Sequence, residues 1–316
     1  MDQVRIGARG SKLSLIQAGQ VQRAIAAALG ADPAEAGRVA PITVISTTGD
    51  RVQDRRLTEL GGKSMFTKEI EEALIAGRID CAVHSLKDVP IARQPGLVLA
   101  AATEREDPRD AFLSPGFPTL EALPQGARLG TASIRRQAQA QFRRPDLKFV
   151  LVRGNVDTRL RKLEAGDADA MILAMAGLKR LGLEAKARHA LDPVEYPPAP
   201  GQGALAIETR AADANAAWVK ALDHRETALA VAAERGALEA LEGSCRTAMG
   251  AYARVEEGRL TLVVEALTAD GRERLRRLGE VELDGDAAAA ARALGLDLGE
   301  QIRTEGRDRL LMPPAE

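Results

Sequence analysis

Cysteine and aromatic residues are scarce in this chain of 316 residues, which holds two Cys, one Trp, two Tyr and five Phe. Cys81 and Cys245 cannot build a disulfide framework, so the fold must rest on a packed core, and a reducing, cytoplasmic setting is expected. So few rings are poor stock for the base-stacking platforms of single-strand nucleic-acid binders. Charge of one sign is also lacking: 44 Lys and Arg stand against 45 Asp and Glu, a formal net charge of -1. That excludes a global field drawing in nucleic acid or an anionic membrane surface, so any anion site must be local. No apolar run is long enough to span a bilayer, and the first residues lack the apolar stretch of a secretory signal. His84, His189 and His224 are isolated, with no H-E-x-x-H or Cys-x-x-Cys nearby, so no protein-ligated metal is expected.

Hydrophobic residues make up 45% and charged residues 28% of the chain, an ordinary globular balance at a length that allows two or three domains. Short apolar runs alternate with helical spacing through the first two thirds. Residues 4–6 read as a strand, after which Leu13, Ile16, Val21, Ile25 and Leu29 recur at helical spacing. Residues 41–45, 79–83 and 97–102 read as further strands, and Phe66, Ile70 and Leu74 share one face of a helix that Gly77 ends. The charged, turn-rich string at 103–109 marks a crossover into a second block with the same rhythm. There a strand at 128–130 leads into a helix over 133–144, which Pro145 stops. A strand at 147–152, a helix capped by Asn155 and ending near Gly166, and a strand at 170–174 follow.

The linker Tyr196-Pro197-Pro198-Ala199-Pro200-Gly201 marks the return crossing. Beyond it come a strand at 204–207, helices around 215–222 and 226–241, and strands at 248–255 and 260–267 joined at Glu257-Gly258. An Ala-rich helix from Asp286 completes a small α+β domain. The expected fold is therefore α/β and α+β, in three domains: residues 1–103 plus 201–222, residues 104–200, and residues 223–316.

Two nucleotide motifs nearly match and fail. Gly62-Lys63-Ser64 ends like a P-loop, but position 57, where the pattern needs Gly, is Leu57. Gly201-Gln202-Gly203-Ala204-Leu205-Ala206 has dinucleotide spacing, yet it precedes a strand where it should follow one. A different arrangement recurs three times, a strand ending in Gly or hydroxyl residues and arginine before a helix begins. The segments are Gly7-Ala8-Arg9-Gly10-Ser11, Gly130-Thr131-Ala132-Ser133-Ile134-Arg135-Arg136, and Arg153-Gly154-Asn155 continuing to Arg159. Helix N-termini supply unpaired N–H groups, and arginine adds a fork for carboxylate or phosphate. Each loop alone also reads as a cap with a solvated arginine; three at the carboxyl ends of strands point to a polyanionic ligand in a crevice.

In His84-Ser85-Leu86-Lys87-Asp88-Val89-Pro90, Asp88 is either a buried catalytic carboxylate or a turn-forming Asp before Pro90, and His84 reads as a satisfied interior histidine. Cys245, in Glu242-Gly243-Ser244-Cys245-Arg246-Thr247, is either a reactive thiolate beside Arg246 or an inert buried thiol; Cys81, in an apolar strand, reads as packing.

Together these segments resemble the porphobilinogen deaminase (hydroxymethylbilane synthase) family of tetrapyrrole biosynthesis. The resemblance is carried by Arg9 and Ser11, by Gly61-Gly62-Lys63 with Phe66, by His84 to Pro90, and by Glu104-Arg105-Glu106-Asp107-Pro108-Arg109-Asp110-Ala111-Phe112. It continues through Gly130 to Gln137, Arg153-Gly154-Asn155-Val156 with Thr158-Arg159-Leu160, Gly177-Leu178-Lys179-Arg180, Gly201-Gln202-Gly203-Ala204, and Leu241 to Cys245.

The resemblance implies two periplasmic-binding-protein-like α/β domains with two hinge crossovers and a small C-terminal α+β domain. It also implies a dipyrromethane cofactor held by Cys245 through a thioether, with four porphobilinogen molecules added head to tail, ammonia released each time, and hydroxymethylbilane freed by hydrolysis. Asp88 becomes the catalytic carboxylate, placed to stabilise the positive charge left on the pyrrole when ammonia departs. Ser85, Lys87, Thr131, Ser133, Arg135 and Arg136 become cofactor binders, and Arg9, Ser11, Arg153, Arg159, Arg180 and Gln202 substrate binders. Lys63 and Phe66 fall in a mobile loop. Every porphobilinogen carries an acetate and a propionate, which explains so many cations. A cytoplasmic monomer with no metal, nucleic acid, membrane or obligate protein partner is expected.

Some positions depart from the family pattern. Ala8, Gly10 and Lys12 stand where relatives often carry Thr, a polar residue and Pro, and Ala132 replaces a frequent Ser. Glu59 stands where some relatives have Lys, and Gly243-Ser244-Cys245 where Gly-Gly-Cys is common. A non-catalytic two-domain anion-binding protein would use the same arginines, but would have no use for Asp88 together with Cys245.

Overall fold

Two groups of helices around parallel strands, each strand too short to stand alone, dominate the computed structural model, which describes residues 3–51, 66–241 and 247–310. The chain divides into two compact units, residues 1–55, 60–106 and 203–228 in the first and 56–59, 107–202 and 229–316 in the second.

The first unit begins with β1 (Ile6–Ala8), α1 (Lys12–Ala28), α2 (Ala36–Val39), β2 (Ile42–Val44), α3 (Thr48–Arg51), α4 (Lys68–Ile75), β3 (Cys81–Ser85) and β4 (Leu97–Ala102). The chain then enters the second unit as β5 (Asp110–Leu113), β6 (Arg128–Gly130), α5 (Ile134–Arg143), β7 (Lys148–Val150), α6 (Val156–Glu164), β8 (Ala170–Ala174), α7 (Met175–Arg180) and β9 (His189–Ala190). It returns to the first unit for β10 (Leu205–Arg210) and α8 (Ala217–Leu222). α9 (Arg225–Ala240) starts in the first unit, and from Leu229 within it the chain stays in the second, with β11 (Ala248–Glu256), β12 (Arg259–Leu267), β13 (Arg274–Glu282) and α10 (Ala287–Gly306).

The two larger sheets share one plan. The first has the order β2-β1-β3-β10-β4, with β1 parallel to β2 and β3, and β10 antiparallel to both neighbours. The second has the order β7-β6-β8-β5-β9, again with three parallel strands and an antiparallel fourth, β5. In each case the antiparallel strand is the one that the chain lays down on arriving from the other unit. Two crossovers are thus built into the hydrogen bonding of both sheets, as the α/β, periplasmic-binding-protein-like expectation requires.

Alternation along β3 explains its continuous apolar run. Cys81 and Val83 pack with Ile6, Ala8, Val21 and Ile25 toward α1, while Ala82 packs with Ile70, Ala73 and Leu74 of α4 on the other face. The second sheet is covered likewise, Phe112, Leu129 and Ile172 in one cluster and Leu113, Met171 and Leu173 in another. The third sheet, antiparallel β11-β12-β13, is joined at Glu257-Gly258 as the sequence suggests. Behind it α9 and α10 approach so closely that a Cβ at Gly295 would lie 1.9 Å from the carbonyl oxygen of Ala233, so only glycine fits.

Two differences from the sequence expectation concern elements near the site. Phe66 lies outside α4, which starts at Lys68 after Thr67, and its ring occupies the space above Gly49. Asn155 holds the N-cap position of α6 without making a side-chain cap hydrogen bond.

Candidate functional site

In the first unit, β1 delivers Arg9 and Ser11 to the start of α1. Ser11 Oγ accepts the Ser14 amide at 3.2 Å, capping the helix and leaving its own O–H as a donor. The Arg9 guanidinium lies 4.2 Å from the centre of the Phe66 ring, a cation–π contact that fixes its direction.

Strand β3 ends at Ser85, whose Oγ accepts from Gln17 Nε2 at 2.9 Å. The next three residues form a single 3-10 turn, tied down by Leu86 N donating to Ala204 O at 3.0 Å at the start of β10. That turn carries Lys87 and Asp88. The Asp88 carboxylate is half-buried, and among the described residues no hydrogen bond or ion pair reaches it. Sequence reasoning placed His84 in the interior, and there its Nε2 lies 3.1 Å from Glu208 Oε2, both side chains buried. Glu71, on α4, is buried beside them. Burial, with the neighbouring Glu208 carboxylate, pushes its pKa above the ordinary glutamate range.

In the second unit, β6 delivers Thr131 and Ser133 to α5. Thr131 Oγ1 accepts the Ser133 amide at 3.1 Å, and Ser133 Oγ accepts the Arg136 amide at 3.4 Å. Arg135 and Arg136 are both buried on one carboxylate, that of Asp110 at the head of β5. Arg135 Nη2 sits 2.8 Å from Oδ2 and Arg136 Nη2 sits 2.8 Å from Oδ1. Gln202, in the return crossover, joins them: its Nε2 donates to Asp110 Oδ1 at 2.9 Å and to Pro108 O at 2.7 Å. Burial alone would raise the Asp110 pKa, but the two guanidiniums hold it far below the usual carboxylate range.

Arg153 follows β7, and its Nη1 is buried with no hydrogen-bond partner among the described residues. Arg159, on α6, donates through Nε to Gly154 O at 2.8 Å, and Arg180 closes α7. Arg136 Nε is likewise buried without an acceptor among the described residues. Two buried guanidinium nitrogens without acceptors suit a ligand that brings carboxylates.

Each unit therefore gathers its own share of the residues singled out in the sequence. Arg9, Ser11, Ser85, Lys87, Asp88 and Phe66 stand in the first, and Thr131, Ser133, Arg135, Arg136, Arg153, Arg159, Arg180 and Gln202 in the second. Lys63 and Cys245 lie outside the described residues. Asp110 is the residue that sequence reasoning missed. Its one signal is that it follows Asp107-Pro108-Arg109 as a carboxylate opening an apolar run. Among the described residues no group of three or more His, Cys, Asp and Glu could hold a metal ion, and no helix is long and apolar enough to cross a membrane.

Residues 4–217 match a family model described as porphobilinogen deaminase, dipyromethane cofactor binding domain, and residues 228–304 match porphobilinogen deaminase, C-terminal domain. The chain is 62% identical over 316 residues to a porphobilinogen deaminase of Caulobacter vibrioides, covering 98% of each. It is 63% identical over 314 residues to one of Phenylobacterium zucineum, again with 98% of each covered. Among solved structures, an ABC transporter periplasmic substrate-binding protein from Coxiella burnetii aligns with a TM-score of 0.43 at 17% identity, covering 70% of this chain and 92% of that one.

Proposed function

The chain belongs to the porphobilinogen deaminase family, and from that membership we propose that Asp88, Cys245 and the strand-end arginines form its active site. The reaction is the polymerisation of four porphobilinogen molecules, head to tail, on a dipyrromethane cofactor; ammonia is lost at each addition and hydrolysis yields hydroxymethylbilane. When bound, dipyrromethane supplies the pyrrole primer that the first porphobilinogen extends. Cys245 is its thioether anchor in this reading. Ser85, Lys87, Thr131, Ser133, Arg135 and Arg136 hold it; Arg9, Ser11, Arg153, Arg159, Arg180 and Gln202 take the incoming substrate. Lys63 and Phe66 belong to a flanking loop.

Asp88 is the catalytic carboxylate. Ammonia leaves when the C–N bond of the substrate's aminomethyl group, protonated as –CH2–NH3+, breaks with both electrons going to nitrogen, and the positive charge passes to the pyrrole. A carboxylate about 4 Å away contributes roughly 4 kcal/mol at an effective dielectric near 20, which corresponds to about a thousandfold in rate. A partner already holding Asp88 would cancel much of that, so its lack of one among the described residues favours the assignment. The arginines answer a different need, because each added unit brings two carboxylates that lose water only if paired.

The observation that carries the carboxylate-binding reading is the pair of buried nitrogens, Arg136 Nε and Arg153 Nη1, without acceptors among the described residues. Three functional domains, residues 1–103 with 201–222, 104–200 and 223–316, acting as a cytoplasmic monomer, complete the proposal. Two cysteines in the whole chain favour the reducing compartment.

Intact mass of the denatured protein tests the reading. It is expected to exceed the sequence mass by a covalent two-pyrrole adduct that Cys245→Ala abolishes, and the protein is expected to release ammonia from porphobilinogen. A chain at its bare sequence mass that binds porphobilinogen without releasing ammonia is a binding protein, and the reading fails.

A further inference from the structure

Consecutive helical residues point about 100° apart, so nothing local brings the guanidiniums of Arg135 and Arg136 to one place. Both nevertheless end on the Asp110 carboxylate, one on each oxygen at 2.8 Å, with all three side chains less than a tenth exposed. The two arginines are not equivalent beyond that point. Arg135 Nη1 also donates to Gln139 Oε1 at 2.9 Å and to Pro197 O at 3.0 Å. Among the described residues the Arg136 guanidinium reaches only Gln202 Oε1, at 3.5 Å, besides Asp110, and its Nε is buried with no acceptor.

The charges do not cancel. Two guanidiniums meet one carboxylate, leaving one positive charge in excess. Glu265, whose charge also acts on Arg135, makes its direct contacts with other groups: Gln139 Nε2 donates to it at 2.9 Å and Arg274 lies 3.7 Å from it. A buried cation without a counter-charge is costly, and an orphaned donor beside it adds to the cost. Both costs are relieved by one bound carboxylate.

We propose that Asp110 is a positioning residue for cofactor capture: it gathers Arg135 and Arg136 into a single clamp, braced through Arg135 and open at Arg136, that takes one carboxylate of the pyrrole chain. The inference rests on the functional reading above. Asp110 touches neither cofactor nor substrate in this account; it sets where Arg136 points and limits the clamp to one carboxylate, because its own carboxylate occupies the place of a second.

The test compares folded protein, isolated by size exclusion and then weighed intact after denaturation, so that cofactor loading is read separately from folding. Wild-type protein carrying the two-pyrrole adduct establishes the functional reading; its absence from wild type defeats that reading and leaves nothing for the clamp to capture. With wild type loaded, folded Asp110→Asn is expected to show loading reduced about tenfold or more, since a buried pair has been broken, and Asp110→Glu is expected to recover part of it. Should Asp110→Asn not fold, Arg136→Gln decides, because it leaves the Asp110–Arg135 pair neutral and well braced. That variant is expected to fold, to melt no lower than apo wild type, and to fail to load. Wild-type loading in either folded variant overturns the proposal.

Discussion

Gly203 and Glu106 run backbone against backbone where the two crossovers meet the first unit. Glu106 N donates to Gly203 O at 3.3 Å, and a Cβ on Gly203 would stand 2.1 Å from Glu106 O. Gly203 also has φ of +97°, a region that residues with a Cβ rarely adopt. The glycine spacing at 201–203 thus serves chain crossing, which is why the dinucleotide pattern was accidental. Gly203→Ala is expected to destabilise the protein by about 2–4 kcal/mol, from overpacking added to backbone strain. Denaturant unfolding measures it; a loss below about 0.5 kcal/mol would show that the crossover yields.

The parts legible from sequence were those where periodicity and burial coincide. β3, with Cys81 and Val83 facing one helix and Ala82 another, reads as apolar on both faces and sits in mid-sheet. β5 escaped notice because it has four residues and opens with a charged one, Asp110, whose burial depends on arginines 25 and 26 positions further along. β13 escaped for the opposite reason. Its Arg274, Arg276, Arg277, Glu280 and Glu282 suit an edge strand, where charge guards against further pairing and masks the apolar alternation. At the site, the cations were visible as residue types, but their partners were not. Arg135 and Arg136 resembled two ligands, whereas their common hold on Asp110 is a tertiary fact.

Glu71 supplies a pH signature. Burial and Glu208 raise its pKa above the ordinary glutamate value of 4.5, so between that value and the higher folded one the native state binds the proton more tightly than the unfolded chain. Stability from this group is therefore full below about 4.5 and declines as pH rises through the folded value. Glu71→Gln keeps a side chain able to bond Thr67 while removing the buried charge. It is expected to raise the melting temperature by about 2–4 °C at pH 8, with the gain shrinking toward pH 4.5. A gain that is the same at both pH values would mean that the carboxylate does not titrate in that window.

Asp88→Asn separates catalysis from folding. The turn at residues 86–88 is held by Leu86 N on Ala204 O, and the Asp88 carboxylate makes no bond among the described residues that the substitution would break. Thermal stability is expected to stay within about 0.5 kcal/mol of wild type, as for substitutions away from packing features. Ammonia release from porphobilinogen is expected to fall about 100- to 1000-fold through loss of charge stabilisation. Turnover within a factor of two or three of wild type would remove Asp88 from the chemistry.

Arg153 and Arg161 lie eight positions apart in one segment and give opposite expectations, which makes them a controlled pair. Arg153 Nη1 is buried without an acceptor among the described residues, so its donor waits for an anion that water is poorly placed to replace. Arg161 is exposed on α6, with Thr158 Oγ1 at 3.4 Å from its Nη2, and its charge is already solvated. A charge-assisted hydrogen bond to a carboxylate contributes about 1.5–3 kcal/mol, so Arg153→Leu is expected to lower kcat/KM for porphobilinogen by about 10- to 100-fold. Arg161→Leu is expected to stay within about twofold, because a solvated surface charge contributes little. Steady-state kinetics on both variants, with melting curves as the fold control, decide between them. Equal losses would mean that bulk positive charge on the segment matters and that the buried Arg153 nitrogen has no ligand of its own.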